Sequence, residues 1–125
     1  MATNRTFAPT NNLTVPDSTL TGPNTPFESG DPVLFGVGNA PAVCLGDEVD
    51  SEVTVQFGAA TVVYRLATEG QDATVGAAIA AGDIVYYDAG VINADATNGT
   101  AYGTALEAVG SGATATIAVA VGLGV

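Results

Sequence analysis

Four carboxylates crowd one short stretch of this chain, Asp47, Glu48, Asp50 and Glu52, and clustered oxygens of that kind are what a Ca²⁺ ion takes. The spacing differs from the EF-hand loop and lacks its central Gly, so a solvated acidic loop is the plainer expectation. The sole cysteine, Cys44, lies in the apolar run Ala42-Val43-Cys44-Leu45. There it reads as a small buried hydrophobe with no internal disulfide partner. The chain has no His, which removes His-based triads and His metal ligation, and no Lys, which removes Schiff-base chemistry. Neither G-x-x-x-x-G-K-[ST] nor G-x-S-x-G occurs. Paired-carboxylate glycosidase chemistry needs a cleft, usually lined by aromatics, and four Phe, four Tyr and no Trp offer little to build one. The expectation is a protein with no catalytic residues, no cofactor and no metal.

The elements behind these residues are bounded by composition. At 125 residues the chain is one domain. Hydrophobic residues make up 47%, but much of that is Ala and Val, and 16 residues are Gly. Small side chains bury little area each, so the core should be thin and association would add burial. The net charge of −11 comes from scarce bases, since Arg5 and Arg65 are the only ones against 13 Asp and Glu. Direct nucleic-acid binding and attachment to an anionic membrane are both disfavoured, because each needs clustered Lys or Arg. The opening Met1-Ala2-Thr3-Asn4-Arg5 has no apolar h-region, and no run approaches the roughly 18 to 20 apolar residues of a membrane span.

The chain reads as all-β: a small single-domain β-barrel-like or β-tulip sandwich with an extended N-terminal arm and at most one short helix. Residues 1–28 form the expected arm, broken by Pro9, Pro16, Pro23 and Pro26, with a possible short strand at Leu13-Thr14-Val15. It either lies over its own domain or orders against a neighbouring subunit. The β domain spans 29–125. Strands are expected at 33–37 and 42–45 as a hairpin, at 52–57 with Val53, Val55 and Phe57 inward, and at 61–67. Others are expected at 84–87, 91–92, 101–107 and 114–123. The Ala-rich stretch 73–81, ending at Gly82, is the candidate helix.

One half of the sequence echoes the other. Ser29-Gly30-Asp31-Pro32-Val33-Leu34-Phe35-Gly36 is matched by Ala81-Gly82-Asp83-Ile84-Val85-Tyr86-Tyr87-Asp88, and Val43-Cys44-Leu45 by Thr104-Ala105-Leu106. Glu52-Val53-Thr54-Val55-Gln56-Phe57-Gly58 is matched in turn by residues 116–122. The offset grows from 52 (Asp31 to Asp83) through 61 (Leu45 to Leu106) to 64 (Gly58 to Gly122). Either two similar strand units differ by loop insertions, or a small β protein reuses Gly-Asp turns and alternating Val.

The last strand is apolar on both faces, with Ile117, Val119, Val121 and Leu123 on one and Thr116, Ala118, Ala120 and Gly122 on the other. Such a strand wants cover on both sides, from the core and from a second layer or a neighbouring subunit. The candidate contact residues are therefore Ala118 and Ala120, together with Arg5, Phe7 and Phe27 of the arm.

Ser29-Gly30-Asp31-Pro32-Val33, Gly82-Asp83-Ile84-Val85-Tyr86-Tyr87-Asp88-Ala89, and Tyr102-Gly103-Thr104-Ala105-Leu106-Glu107-Ala108 with Ser111-Gly112 and a closing strand occur in that order. With the opening Met1-Ala2-Thr3-Asn4-Arg5-Thr6-Phe7, this set resembles the phage capsid cement, or head decoration, proteins, long catalogued as a domain of unknown function. The resemblance implies a β-barrel-like or β-tulip domain on the outer surface of the expanded head of a virion. It implies a homotrimer clamping the major capsid protein, with no catalytic residues. The Pro-rich stretch between Leu13 and Glu28 and the absence of Lys depart from the usual pattern. Two other readings stay open: a carbohydrate- or host-surface-binding β module, and another virion part such as a tail-tube or fibre-base subunit.

Overall fold

The computed structural model describes residues 12–58, 62–70 and 78–125. Its strands fall into two sheets. The first holds β1 (Asn12–Pro16), β2 (Leu20–Thr21), β3 (Pro32–Phe35), β4 (Ala40–Cys44) and β5 (Glu52–Phe57), in the order β1-β5-β4-β3-β2. The second holds β6 (Val63–Glu69), β7 (Ile84–Asp88), β8 (Val91–Asn93), β9 (Thr100–Ala105) and β10 (Thr114–Val121). It closes into a barrel, β10-β6-β8-β7-β9. The protein is all-β, as its Val-rich, period-two runs dictate. Among the described residues the sole helical element is one 3₁₀ turn, Asp17–Thr19.

The expected helix does not form where it can be seen. Residues 73–77 lie outside the described part, and 78–81 hold an isolated β-bridge at Ile79 followed by a turn at Ala81. There the N–H and carbonyl of Ile79 both pair with Val109, at 2.9 and 2.8 Å. Ile79 is buried, and Ala80 is committed to the turn that Gly82 and Asp83 complete. A buried bridge on one side and a turn on the other override the helix propensity of Ala.

The echo is a duplication of structure. At Gly30 and Gly82 the backbone takes a positive φ, 88° and 97°, which glycine adopts at no steric cost. In each case the following Asp closes the turn, its N–H reaching Glu28 O at 3.1 Å or Ala80 O at 3.0 Å. Each Asp carboxylate accepts the N–H of that same turn residue, Glu28 or Ala80, at 2.9 Å. The next bonds correspond too: Gly30 N to Cys44 O and Cys44 N to Asp31 O, against Gly82 N to Ala105 O and Ala105 N to Asp83 O. Register agrees across the sheets, Val33 facing Ala42 as Val85 faces Gly103, and Val43 facing Gln56 as Thr104 faces Ala120. The match extends to strands the sequence pairing missed, for Val15 faces Val53 as Leu66 faces Ile117.

Two cores follow. Val15, Phe27, Val33, Ala42, Cys44, Val53 and Val55 fill the first sheet. Ile79, Val85, Leu66, Ile117 and Val119 hold the corresponding places in the barrel. Leu34 and Val43, on the other face of β3 and β4, join the barrel's core, so the first sheet is buried on both sides along these strands. The units are further tied by the Tyr102 hydroxyl, which donates to Ala42 O at 2.7 Å in a buried site, and by Tyr64, which donates to Gln56 Oε1.

The expected arm is therefore domain from residue 12 on. β1 lies along β5 through five residue pairs, and β2 lies along β3. Residues 1–11, with Arg5 and Phe7, lie outside the described part. The alternation Leu13, Val15 against Val53, Val55 gives this stretch a buried face, so its prolines end the strand without preventing it.

Candidate functional site

The acidic stretch has structural duties. Asp47 Oδ1 accepts the N–H of Ser29 at 2.9 Å, and Glu48 Oε1 that of Phe27 at 3.2 Å, while Glu48 N donates back to Phe27 O at 2.9 Å. Asp31 takes Asn24 Nδ2 on both oxygens, at 2.8 and 2.9 Å. These carboxylates satisfy backbone donors that run past the end of the first sheet and would otherwise lack partners. They also shape the surroundings of Cys44. Burial, with Asp31 and Glu48 adding their charge, pushes its thiol from 9.0 up to about 12, leaving it protonated and unreactive. Among the described residues no group of three or more Asp, Glu or Cys side chains is placed to hold a metal ion.

The contact candidates scatter. Phe27 is 7% exposed and plugs the first core; it occupies the place that Ile79 holds in the second unit, so the protein's scarce aromatics are not a guide to its surface. Ala120 is 2% exposed, covered by its own chain. Ala118 is half-buried. Arg65 stands opposite it in the ladder, and the Glu107 carboxylate accepts its N–H at 2.7 Å. Arg65 in turn bonds Glu107 at 3.0 Å and Thr116 O at 2.9 Å. The second face of β10 is thus roofed in part by an ion pair from the same chain. The bonds from Ala118 and Arg65 hold the Glu107 carboxyl below the usual carboxylate range.

What the surface does offer is apolar groups at corresponding places. Leu45 and Leu106, 37% and 44% exposed, each follow the last residue of a central strand and donate N–H to the next strand, to Thr54 O and Ala118 O. Their alignment was legible in the sequence; their exposure was not, because each extends an apolar run. Val37, at the tip of the β3–β4 hairpin, is fully exposed. It borders a groove of about 350 Å³ lined by Thr19, Leu20, Phe35 and Gly36. A second groove, about 290 Å³, runs between the units past Pro23, Asp31, Arg65, Leu66, Gly90 and Thr114. The first groove carries the hydroxyls of Ser18, Thr19 and Thr21 beside its apolar lining, and the second brings Asp31 and Arg65 to one opening between the units.

No helix among the described residues is long and apolar enough to cross a membrane. No protein-family model, curated protein or solved structure matches the sequence or the fold.

Proposed function

We propose that this is a structural virion protein, a cement subunit that binds the outside of an expanded phage head as a homotrimer and stabilises the lattice of the major capsid protein. The observation that carries the reading is the ordered motif set from Ser29 to the closing strand. Those residues build the turn-and-ladder frame repeated in both units. The exposed Leu45, Leu106 and Val37 fit a protein that acts as a surface. Three modest contacts made together by a trimer hold a lattice far more tightly than one protomer does. Arg5 and Phe7 stay candidates for capsid contact.

The test is co-sedimentation with undecorated heads, comparing compact precursor shells with expanded ones across a salt series. Saturable binding to expanded heads alone is the expected result, weakened by deletion of residues 1–7. Failure to bind either form overturns the reading, and glycan binding in its place moves the assignment to a carbohydrate-recognising module.

A further inference from the structure

The tip between β8 and β9 carries Asn98-Gly99, the dipeptide most prone to deamidation. The Gly amide nitrogen attacks the carboxamide carbon of Asn98, and a ring C–N bond forms. The bond from that carbon to Nδ2 breaks, and ammonia leaves with the proton the amide gave up. Water then opens the succinimide to Asp or isoAsp, adding one negative charge. A larger residue after the Asn would slow the attack, yet none fits here. A Cβ on Gly99 would lie 2.6 Å from Tyr86 Cβ and 2.7 Å from Asp95 O. Packing keeps the labile pair in place.

Every group that must move for the attack is tied to one residue. The Gly99 N–H donates to Asp95 O at 2.9 Å, which holds the proton that must leave. Asn98 Nδ2 donates to Asp95 Oδ2 at 2.8 Å, and Asn98 N donates to Oδ1 at 3.1 Å. Thr97 N reaches the same Oδ1 at 2.9 Å. Asp95 is itself anchored, 3% exposed, with its N–H on Oδ1 of the buried Asn93 at 3.0 Å. These bonds from Asn98 and Thr97 hold the Asp95 carboxyl below the usual range, so it stays ionised.

We propose that Asn98 is a latent modification site and that Asp95 is its guard, fixing the Asn98 carboxamide and the Gly99 amide away from ring closure while the loop is folded. The ionised carboxylate also opposes the oxyanion that forms as the nitrogen attacks. Opening of the loop releases both restraints at once, so Asn98 records time spent unfolded.

The experiment is peptide mapping by mass spectrometry after incubation in mildly alkaline buffer, native against urea-unfolded, for the parent and for Asp95→Asn and Asp95→Ala. The native parent should deamidate at Asn98 at least roughly tenfold more slowly than the unfolded protein. Asp95→Asn keeps an acceptor for the Thr97 and Asn98 amides but loses the carboxylate, and its native rate should rise severalfold with the unfolded rate unchanged. Asp95→Ala should rise further. Equal native and unfolded rates in the parent would overturn the guard whatever the variants do. So would an Asp95→Asn protein that melts with the parent and deamidates as slowly.

Discussion

In the second unit β8 follows β7 in sequence and closes the barrel by lying parallel to β6, Thr68 beside Ile92 and Glu69 beside Asn93. In the first unit the strand beside β3 is β2, which comes before it in sequence and makes no pairing with β1. Closure there is covalent. The outer strands of a flat five-stranded sheet lie about 19 Å apart, while Pro16 and Leu20, joined through Asp17–Thr19, are at most about 14 Å apart even fully extended. The sheet must therefore curl. One strand unit is finished in two ways, by hydrogen bonds where the chain passes late and by a short 3₁₀ link where it passes early.

The units also differ in what their central strands show to the outside. Where the first has Leu34 and Val43, buried against its partner unit, the second has Tyr86 and Thr104, half-exposed. Thr104 Oγ1 donates to Leu123 O at 2.8 Å, so the tail lies along this face. At the Val43 position the second unit thus carries a hydroxyl in place of a methyl, and that hydroxyl is spent on its own chain.

The largest break in this comparison should come at Tyr102, whose place in the first unit is taken by Pro41. Tyr102 is fully buried, and its hydroxyl is tied to the first unit's backbone. Tyr102→Ala should cost about 3–5 kcal/mol by urea denaturation. Tyr102→Phe, which leaves Ala42 O without that donor, should cost about 1–3 kcal/mol. A single cooperative transition is expected in both, and a biphasic curve would show that the units melt separately.

Next is the pair Ala42 and Gly103. A Cβ at Gly103 would lie 2.4 Å from Ala120 O, a backbone atom with little freedom to yield, whereas Ala42 carries its Cβ inside the first core. Gly103→Ala should cost about 1–3 kcal/mol through overpacking, and the mirror change Ala42→Gly roughly 0.5–1 kcal/mol through backbone entropy. Equal costs would mean that the two ladders are more alike than their close contacts indicate.

The turns test the opposite limit, sameness. Gly30 and Gly82 both have positive φ, and a Cβ on either meets nothing within 4 Å. Each Gly→Ala change should therefore carry the backbone term alone, about 1–2 kcal/mol. The two values should agree within roughly 0.5 kcal/mol, with the double variant additive.

The sequence displayed this duplication wherever a residue had one physical job. Gly before Asp at a turn, Val inward on alternate residues and Gly after the last strand survive in both units, and their order located eight of the strands closely. It hid what depends on context. Phe27 and Ile79 fill one role with unlike residues, so Phe27 read as a surface anchor. Val15 and Leu66 correspond, but the first lies in a Pro-rich stretch that resembled an arm. Ile79 sits in an Ala-rich run that local propensity assigns to helix, and a single distant partner, Val109, decides otherwise. Leu45 and Leu106 were aligned correctly while their exposure stayed invisible, because burial at the end of an apolar run is set by tertiary structure.

A pH-dependent effect sharpens the comparison at one core position, where the first unit has Cys44 and the second Ala105. The Cys44 thiol is raised from 9.0 to about 12 in the folded protein, so the folded state holds its proton more tightly than the unfolded state does. The resulting stability is fully present below pH 9 and is lost as pH rises from there toward the folded value. At pH 10 the loss should be on the order of 1 kcal/mol. Burial raises the Tyr102 hydroxyl as well, from 10.0, and its share disappears at still higher pH. Cys44→Ala, which copies the second unit's residue into the first, should remove the loss between pH 9 and 10 and leave the later one intact. Urea denaturation across this range checks it, with thiol labelling of the parent alongside, since a protonated buried Cys44 reacts only as fast as the first unit opens. An unchanged alkaline profile in the variant would assign the loss to the tyrosines, which belong to the second unit, and would make that unit the weaker one in base.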